Sequence, residues 1–513
     1  MSNQTSDNNK RIAKNTALLY IRMLFLMFIG LFTSRVNLQS LGIDNFGIYN
    51  VVGGVVAMFS ILTGSLGVAI SRDITYELGK GNIERLNKVF SAAVTIQIVM
   101  SIVIVVVAEI AGVWFLNNKM VIPEDRLYAA NWVLQFSVVS FVLTLISVPY
   151  NACIIAHEKM SAFAYITIYE AIMKLIVAYT VFITPFDKLI TYAALLLFIA
   201  FTMRLIYGIY CTKHFEECHY HFVFDKKMLK QMGGFAGWTM IGNLAYIGYS
   251  QGLNILLNLF FGPSVNAARG VAMQVNVKVS SFCTNFQMAL NPQITKSYAA
   301  NDLNRMHSLI FASSKYSFFL VLLLSLPIMV ETKSILYYWL GVYPEQTVWF
   351  VRLIFMVLLV DATANPLTVA AQANGNIKKY QIIVGSILLL IIPIAYVALK
   401  LGYQPESVFV VHLAIVLLAQ CARLMMIREM ISLAVKKYVE KVIFRIVVVL
   451  CFSPIIPILL HFYLSDSFLN MLIVCLISCV SVSVCIYLFG LSKGERYKIN
   501  DKIINFIHKK NEI

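Results

Sequence analysis

Apolar runs of about 20 residues recur along the whole chain, separated by short polar segments. A helix of that length crosses the roughly 30 Å hydrocarbon core of a bilayer, so each run predicts one membrane span. None of the polar segments is long enough to form a separate soluble domain. The pattern predicts fourteen spans, near residues 15–38, 46–70, 89–115, 127–148, 161–183, 188–211, 232–260, 264–290, 308–330, 346–370, 379–400, 405–428, 442–464 and 468–490.

Three internal matches indicate that the first twelve spans form a six-span duplication. The matching pairs are 82–93 with 302–313, Pro123-Glu124 with Pro344-Glu345, and 156–163 with 373–380. Because six is even, both halves enter the membrane with the same polarity and are related by a pseudo-two-fold axis along the membrane normal. We therefore predict an all-α polytopic membrane protein with two six-helix repeats and two C-terminal helices. The predicted segments are a tail at 1–14, a lobe at 15–211, an inter-lobe loop at 212–231, a lobe at 232–428, two further helices at 429–490 and an amphipathic tail at 491–513.

Composition and charge agree with a membrane protein. The chain is 59% hydrophobic and 13% charged, whereas soluble domains are roughly 45–50% apolar and 25% charged. The net charge of +16 lies mainly in short loops, and the excess of Lys and Arg on one side places both termini in the cytoplasm. We expect no nucleic-acid partner, because no recognition motif or basic face accompanies this charge.

The nine cysteines predict neither a disulfide framework nor a metal site. Most lie in apolar runs, where Cys behaves as a small hydrophobic residue. Metal-ligand residue types do cluster at Cys211, His214, Cys218, His219 and His221, but their spacing matches no standard zinc pattern. We expect an ordinary interfacial loop there. The loops are short and carry no phosphate-binding, zincin or nucleophile-elbow motif, so we expect neither an enzyme nor a cofactor.

Charged residues inside the spans are the candidates for function, because a charge near the bilayer centre costs ~2.5–3.5 kcal/mol. Arg22 lies about eight residues into the first span, and Lys278 and Asp361 lie near the middle of theirs. Lys174 stands four residues after Glu170 on one helix face, where the two charges can neutralise each other.

The span at 264–290 is polar on two opposite sides. Arg269 and Asn276 fall on one stripe, and Lys278 falls with Gln274 on a second stripe about 180° away at 3.6 residues per turn. Neither side suits lipid. Two interpretations remain open: hydrogen bonding between buried helices, or a hydrated cavity lined by amides, tyrosines and cations, which we favour because many polar groups converge.

A cationic cavity attracts an anionic ligand, and guanidinium groups suit phosphate oxygens. Amides and aromatic rings suit sugars, so a lipid with a phosphorylated sugar headgroup meets both demands. For coupling we single out Asp361, the deepest carboxylate of the second half, which carries a proton or pairs with Lys278. The candidate substrate-binding residues are Arg22, Lys174, Asn254, Arg269, Asn276 and Lys278.

Three stretches resemble one bacterial family: "SLGIDNFGIYNVVGGVVAMFSILTGSLGVAISRDITYELGKGN" (40–82), "VPYNACIIAHEKM" (148–160) and "FFGPSVNAARGVAMQVNVKVSSFCTNFQMALNPQITKSYA" (260–299). They are similar to the O-antigen and capsule-repeat flippases of the multidrug/oligosaccharidyl-lipid/polysaccharide exporter superfamily, and the likeness covers essentially the whole chain. The resemblance implies that an undecaprenyl-pyrophosphate-linked oligosaccharide moves from the inner to the outer leaflet of the bacterial inner membrane by alternating access. Arg22, Arg269 and Lys278 match the family's general pattern of basic residues in the first and eighth spans.

The resemblance also suggests proton or sodium coupling, membrane lipids around the spans, and a polysaccharide polymerase and assembly proteins as partners. Two other interpretations remain. A cation-coupled drug exporter of the same superfamily should have a carboxylate-rich cavity. A membrane-embedded polymerase or ligase should have a large outer loop, which the sequence does not show.

Overall fold

The structure, a computed structural model, describes residues 2–57, 59–118, 122–222, 225–497 and 500–501. All regular elements in these residues are helices, with no strand among them. Helices satisfy every backbone group within one segment, which lipid requires of a spanning chain. The predicted all-α class is confirmed.

The helices follow the apolar runs of the sequence. In chain order the α-helices are α1 Ser2–Ala57, α2 Ser60–Lys80, α3 Ile83–Val107, α4 Val113–Asn118, α5 Leu127–Ala156, α6 Met160–Ile183, α7 Lys188–His214, α8 Lys226–Phe261, α9 Pro263–Ala299, α10 Leu303–Val330, α11 Thr332–Leu340, α12 Thr347–Asn374, α13 Lys378–Leu389, α14 Ile391–Lys400, α15 Ser407–Ile431, α16 Val435–Tyr438, α17 Phe444–Phe452, α18 Ile455–Tyr463 and α19 Phe468–Cys485. Short π-helical turns occur at Ala108–Gly112, Val439–Ile443 and Ile486–Gly490, and 3₁₀ turns at Glu124–Arg126 and Glu216–Cys218.

Local sequence sets several helix ends. Gly42 interrupts α1 with φ 78° and ψ 167°, a conformation that favours glycine, so α1 consists of two helices in succession. The side chain of Asn82 caps α3 by accepting from the Arg85 backbone N–H at 2.9 Å. Asp187 caps α7 in the same way through the N–H groups of Leu189 and Ile190, at 2.9 and 3.0 Å.

Eleven helical segments of the described chain are long and apolar enough to cross a membrane. They cover the predicted spans except those at 46–70, 232–260 and 264–290, whose described residues are also helical. The residues of 46–70 are divided between α1 and α2, and the other two spans are less apolar. The plan of fourteen spans is therefore roughly matched, and the multi-pass prediction is confirmed. The spans at 232–260 and 264–290 are the ones whose asparagines, glutamines and cations were singled out above. The predicted amphipathic helix in the tail lies mostly outside the described residues.

The chain packs into two units. The first runs to Leu244 and includes Ala289–Asp302 and Gly375–Lys378. The second consists of Ala245–Met288, Leu303–Asn374 and the chain from Lys379 onward. The lobe boundaries predicted from the duplication stay a prediction.

Each unit has its own core. In the first, α5 packs against α7 and α1 against α6, and fully buried Val52, Val133 and Leu189 belong to one apolar cluster. In the second, α12 packs against α10 and α15. Small residues permit this close approach: Ser313, Ser314 and Ser317 of α10 have no exposed surface.

Candidate functional site

A small polar cavity lies inside the second unit, between α8, α9, α12 and α15. Its volume is about 50 Å³. A water molecule occupies roughly 30 Å³ of the liquid, so the cavity has room for one or two waters or a small cation. It is too small for a sugar ring in this conformation. Its polar lining residues are Tyr246, Tyr249, Ser250, Arg269, Asn276, Asp361 and His412.

Arg269 is anchored by α8. Its Nη1 donates to Oδ1 of Asn254 at 3.2 Å, and its Nη2 donates to the carbonyl oxygen of Ser250 at 2.8 Å. The side chain is 9% exposed. These acceptors are neutral, so they orient the guanidinium without cancelling its charge. The structure thus brings two predicted residues, Arg269 and Asn254, into direct contact, with Asn276 lining the same cavity.

Asp361 lines this cavity from α12, and its cationic neighbour is Arg423 of α15. Lys278 lines a different cavity of about 270 Å³, together with Gln274 and Trp339. The predicted pairing of Asp361 with Lys278 is therefore not formed. The reason is the two-sided pattern predicted for α9. Its Arg269 stripe lines the cavity beside Asp361, and the opposite stripe, with Lys278, lines the other cavity.

Farther along α9, Gln287 takes part in a buried hydrogen-bond network. Its Nε2 donates to Oγ of Ser317 and to the carbonyl oxygen of Ala362, both at 2.9 Å, and its Oε1 accepts from Asn365 at 2.5 Å. Both interpretations that the sequence left open therefore occur in one helix: a polar cavity near Arg269 and helix–helix hydrogen bonding near Gln287.

Sequence reasoning missed two residues of α15. His412 lines the Asp361 cavity, and Arg423 is 7% exposed and donates to Oε1 of Gln420 at 3.4 Å. Gln420 in turn donates to Oγ1 of Thr363 at 3.1 Å. The signal was present, because positions 412 and 423 are separated by about three helical turns within an apolar run and therefore share one helix face.

In the first unit, Arg22 of α1 lies with its guanidinium carbon 4.5 Å from the ring centroid of Phe163 on α6. Arg22 also interacts electrostatically with Tyr207 of α7, and Tyr207 interacts electrostatically with Glu170. Lys174 binds Glu170 through Nζ and Oε1 at 2.6 Å. Arg22 and Lys174 therefore belong to neighbouring helices, but the charge of Lys174 is locally balanced and its side chain is 49% exposed.

A larger cavity of the first unit, about 280 Å³, is lined by the cations Arg72, Lys230 and Lys378 and by a single carboxylate, Asp73. We call it the Arg72 cavity. Aromatic rings complete it: Nζ of Lys378 lies 5.1 Å from the ring centroid of Trp238. Cations, amides and aromatic rings in one cavity are the combination expected of a phosphate and sugar site.

Gly375 determines how Arg72 sits in this cavity. Its φ is 86°, and an added Cβ would lie 2.5 Å from Nη2 of Arg72. The positive φ favours glycine at this position, and a Cβ there would also push the guanidinium of Arg72 aside. Sequence reasoning did not find the Arg72 cavity because its cations lie outside the predicted spans or at their ends.

A buried ionic cluster joins the turn after α5 to the end of α9. The carboxylate of Glu158 accepts from Nζ of Lys296 at 2.8 Å and from Nε2 of Gln293 at 2.7 Å. Glu158 has a left-handed φ of 59°. We call these three residues the Glu158 cluster. Beside it, a Cβ on Gly79 of α2 would come within 2.7 Å of Ala299, so the two helices approach closely.

The fold is that of the MATE transporters. A MATE structure in the bent conformation aligns with a TM-score of 0.74 at 14% identity, over 84% of this chain and 97% of that one. The Vibrio cholerae MATE transporter VcmN in the bent form aligns with a TM-score of 0.65 at 18% identity, over 83% and 98%. A MOP superfamily transporter from Pyrococcus furiosus aligns with a TM-score of 0.67 at 14% identity, over 82% and 96%. No curated protein matches the sequence.

Sequence likeness identifies the family more closely than the fold does. The profile of the polysaccharide biosynthesis protein family matches residues 12–298, which is more than half of the chain. The chain therefore belongs to that family. It is a multi-pass membrane protein with the fold of the MATE transporters.

Proposed function

We propose that this protein moves an undecaprenyl-pyrophosphate-linked oligosaccharide, a repeat unit of O-antigen, lipopolysaccharide or capsule, between the leaflets of the bacterial inner membrane. Movement is from the inner to the outer leaflet by alternating access, and both termini lie in the cytoplasm. The observation that carries the proposal is the Arg72 cavity, where three cations face one carboxylate in a member of a polysaccharide biosynthesis family.

In this proposal the cationic side chains bind the pyrophosphate and the amide side chains bind the glycan. Arg22 and Arg269 offer guanidinium groups that can make two parallel hydrogen bonds to phosphate oxygens. Lys278 and Lys174 supply point charges along the path, with Lys174 the weaker because Glu170 balances it. Asn254 and Asn276 supply amide groups for sugar hydroxyls in a conformation of the alternating-access cycle whose cavity is wider than the roughly 50 Å³ of this one. A polysaccharide polymerase and assembly proteins would take the product from the outer leaflet.

Asp361 is the coupling residue in this proposal, with a proton or sodium ion as the coupling ion. The size of its cavity supports this division, because about 50 Å³ admits an ion or a water but not a glycan. Arg423 and His412 lie near Asp361, so a change in the charge of Asp361 would change the electrostatic energy of two other titratable groups.

A cation-coupled multidrug exporter is the second candidate, favoured by the MATE fold. Cationic drugs require carboxylates in the transport path. Among the lining residues of the Asp361 and Arg72 cavities there are two carboxylates and four Arg or Lys side chains, so the charge balance favours an anionic substrate.

Three substitutions of Arg22 test the main proposal. Arg22→Ala should leave a membrane-inserted protein with strongly reduced glycan export, and Arg22→Lys should recover only part, because a point charge replaces a planar fork. Arg22→Glu should be the least active, since it repels the anion. The measurement is export of lipid-linked glycan per folded molecule.

Arg35→Ala is the matched control, because Arg35 lies on the same helix with its side chain exposed. It should export normally. Wild-type export by Arg22→Glu would refute the role of Arg22 in binding the anion, and loss of export that merely follows loss of inserted protein would make Arg22 a structural residue. Extrusion of cationic dyes without glycan export would favour the exporter.

A further inference from the structure

Three thiols and a carboxylate meet at one end of α5 and α7. The sulfurs of Cys153 and Cys218 and a carboxylate oxygen of Glu217 all lie within 4.8 Å of one another. A third thiol, Cys211, is within hydrogen-bonding reach of Cys218. Cys153 comes from α5, Cys211 from the last turn of α7, and the other two from the 3₁₀ turn that follows.

These donors are shielded from water. Cys153 and Cys211 have no exposed surface, Cys218 is 1% exposed and Glu217 is 3% exposed. Burying a carboxylate beside apolar thiols is costly unless a cation compensates its charge. The one side-chain partner that the structure gives Glu217 is His157, whose Nε2 lies 2.6 Å from Oε1.

The spacing suits a tetrahedral ion. With Zn–S distances of about 2.3 Å and Zn–O distances of about 2.0 Å, the donors of a tetrahedral zinc site lie roughly 3.5–3.8 Å apart. The donors of Cys153, Glu217 and Cys218 already lie within 4.8 Å of one another and need only small side-chain rotations to reach that distance, and Cys211 joins them from its hydrogen bond to Cys218. The thiols are free rather than disulfide-bonded, and their predicted cytoplasmic position would keep them reduced.

The surroundings also resemble the outer shell of a metal site. His157 holds the Glu217 carboxylate, and its ring stacks on Phe215 with centroids 4.2 Å apart and planes 11° from parallel. Nδ2 of Asn87 donates to the Glu217 carbonyl oxygen at 3.1 Å, which fixes the turn to α3. Hydrogen bonds of this kind orient ligating carboxylates and are as much a part of a metal site as the ligands.

We propose that Cys153, Cys211, Cys218 and Glu217 bind one divalent zinc-type ion. Four protein donors leave no open position, so the site is structural, and it ties the ends of α5 and α7 and the following turn together. Divalent metal binding would displace the three thiol protons, so that four negative donors surround the 2+ ion, the same charge balance as in a Cys₄ zinc site. The expectation of an ordinary loop rested on the spacing of residues 211–221 alone, whereas Cys153 and His157 reach the cluster from α5.

The test uses full-length protein purified in nanodiscs. After incubation with zinc and removal of excess metal, elemental analysis should find about one zinc per chain. Cobalt in place of zinc should give a thiolate-to-cobalt charge-transfer band and the visible bands of tetrahedral cobalt. Cys153→Ser and Cys218→Ser should abolish these bands. His157→Ala keeps every ligand but loses the positioning hydrogen bond, so its affinity should fall by about 10–100-fold.

Cys421→Ser is the matched control, because that thiol is exposed and outside the cluster, and it should bind like the wild type. The wild-type arm needs no variant to fold: failure to bind zinc or cobalt at all would overturn the proposal. Cobalt bands that persist unchanged in folded Cys218→Ser protein would overturn it as well, by placing the metal elsewhere. Neither result depends on what the protein transports.

Discussion

Replacing Glu158 by Gln isolates the energetic role of the Glu158 cluster. The amide has the same shape as the carboxylate but loses its charge, and its NH₂ group faces the donors of Gln293 and Lys296. Removing one partner of a buried ion pair costs about 3–5 kcal/mol. Glu158 is 1% exposed but Lys296 is 26% exposed and can turn toward water. We therefore expect a loss of about 2–3 kcal/mol, below that range, because the partly exposed Lys296 can be rehydrated.

That loss should appear as local opening rather than global unfolding, because the described side-chain bonds of the cluster join the turn after α5 to the last turns of α9. If the free energy of local opening falls by about 2–3 kcal/mol relative to the wild type, amide exchange accelerates by about 30- to 150-fold. Hydrogen–deuterium exchange with peptide resolution should show this gain at residues 289–299 and at the turn, with the core of α10 unchanged.

Two further variants make the result decisive. Glu84→Gln removes an exposed ion pair with Lys88, whose Nζ lies 2.6 Å from Oε1, and should change exchange little, as exposed pairs contribute at most about 1 kcal/mol. Combining Glu158→Gln with Lys296→Met should restore part of the protection, because no buried charge is left unpaired. Equal exchange in Glu158→Gln and Glu84→Gln would refute the reasoning.

Three other predictions concern coupling, pH and topology. Asp361→Asn should abolish the dependence of export on the ion gradient, and export that keeps this dependence would remove Asp361 from coupling. Burial would raise the pKa of Glu495, but hydrogen bonds from Lys315, Ser492 and Tyr316 outweigh it and lower the pKa to about 2. The stability that Glu495 contributes is therefore present above its unfolded pKa of about 4.3 and is lost as the pH falls toward 2. The difference in unfolding free energy between the wild type and Glu495→Gln should be constant from pH 7 to 5 and smaller at pH 3. Single cysteines at 333 and 436 should react with an impermeant maleimide in intact cells only at 333, and labelling at 436 would reverse the predicted orientation.

The all-helical class and most of the spans were predictable because both depend on local composition. The two polar stripes of α9 were equally predictable, because helical periodicity alone places Arg269 and Lys278 on opposite sides of the helix. The sequence could not predict which charged side chains are neighbours. Asp361 and Lys278 looked like partners by depth, but depth does not specify rotation about the helix axis, and the neighbour of Asp361 is Arg423.

The remaining sites depend on contacts between distant positions. Glu158 meets Lys296 across 138 residues, and Cys153 meets Cys218 across two helices. Single-sequence spacing carries no signal for such contacts. The contact of Gly375 with Arg72 belongs to the same class, because Arg72 lies about 300 residues away in the sequence, although the φ of 86° at Gly375 is a local feature of the turn.

The volume of the cavity beside Asp361 bears on which ion can drive transport. The cavity of about 50 Å³ has room for only a few waters, so a sodium ion with its full hydration shell would not fit beside Asp361. Sodium could enter this conformation only after losing most of its hydration shell, with Tyr, Ser and Asn oxygens replacing the lost waters. A proton requires no such exchange, since it transfers along a hydrogen bond from a single water. In this conformation the geometry alone thus sets a dehydration barrier for metal cations that protons avoid.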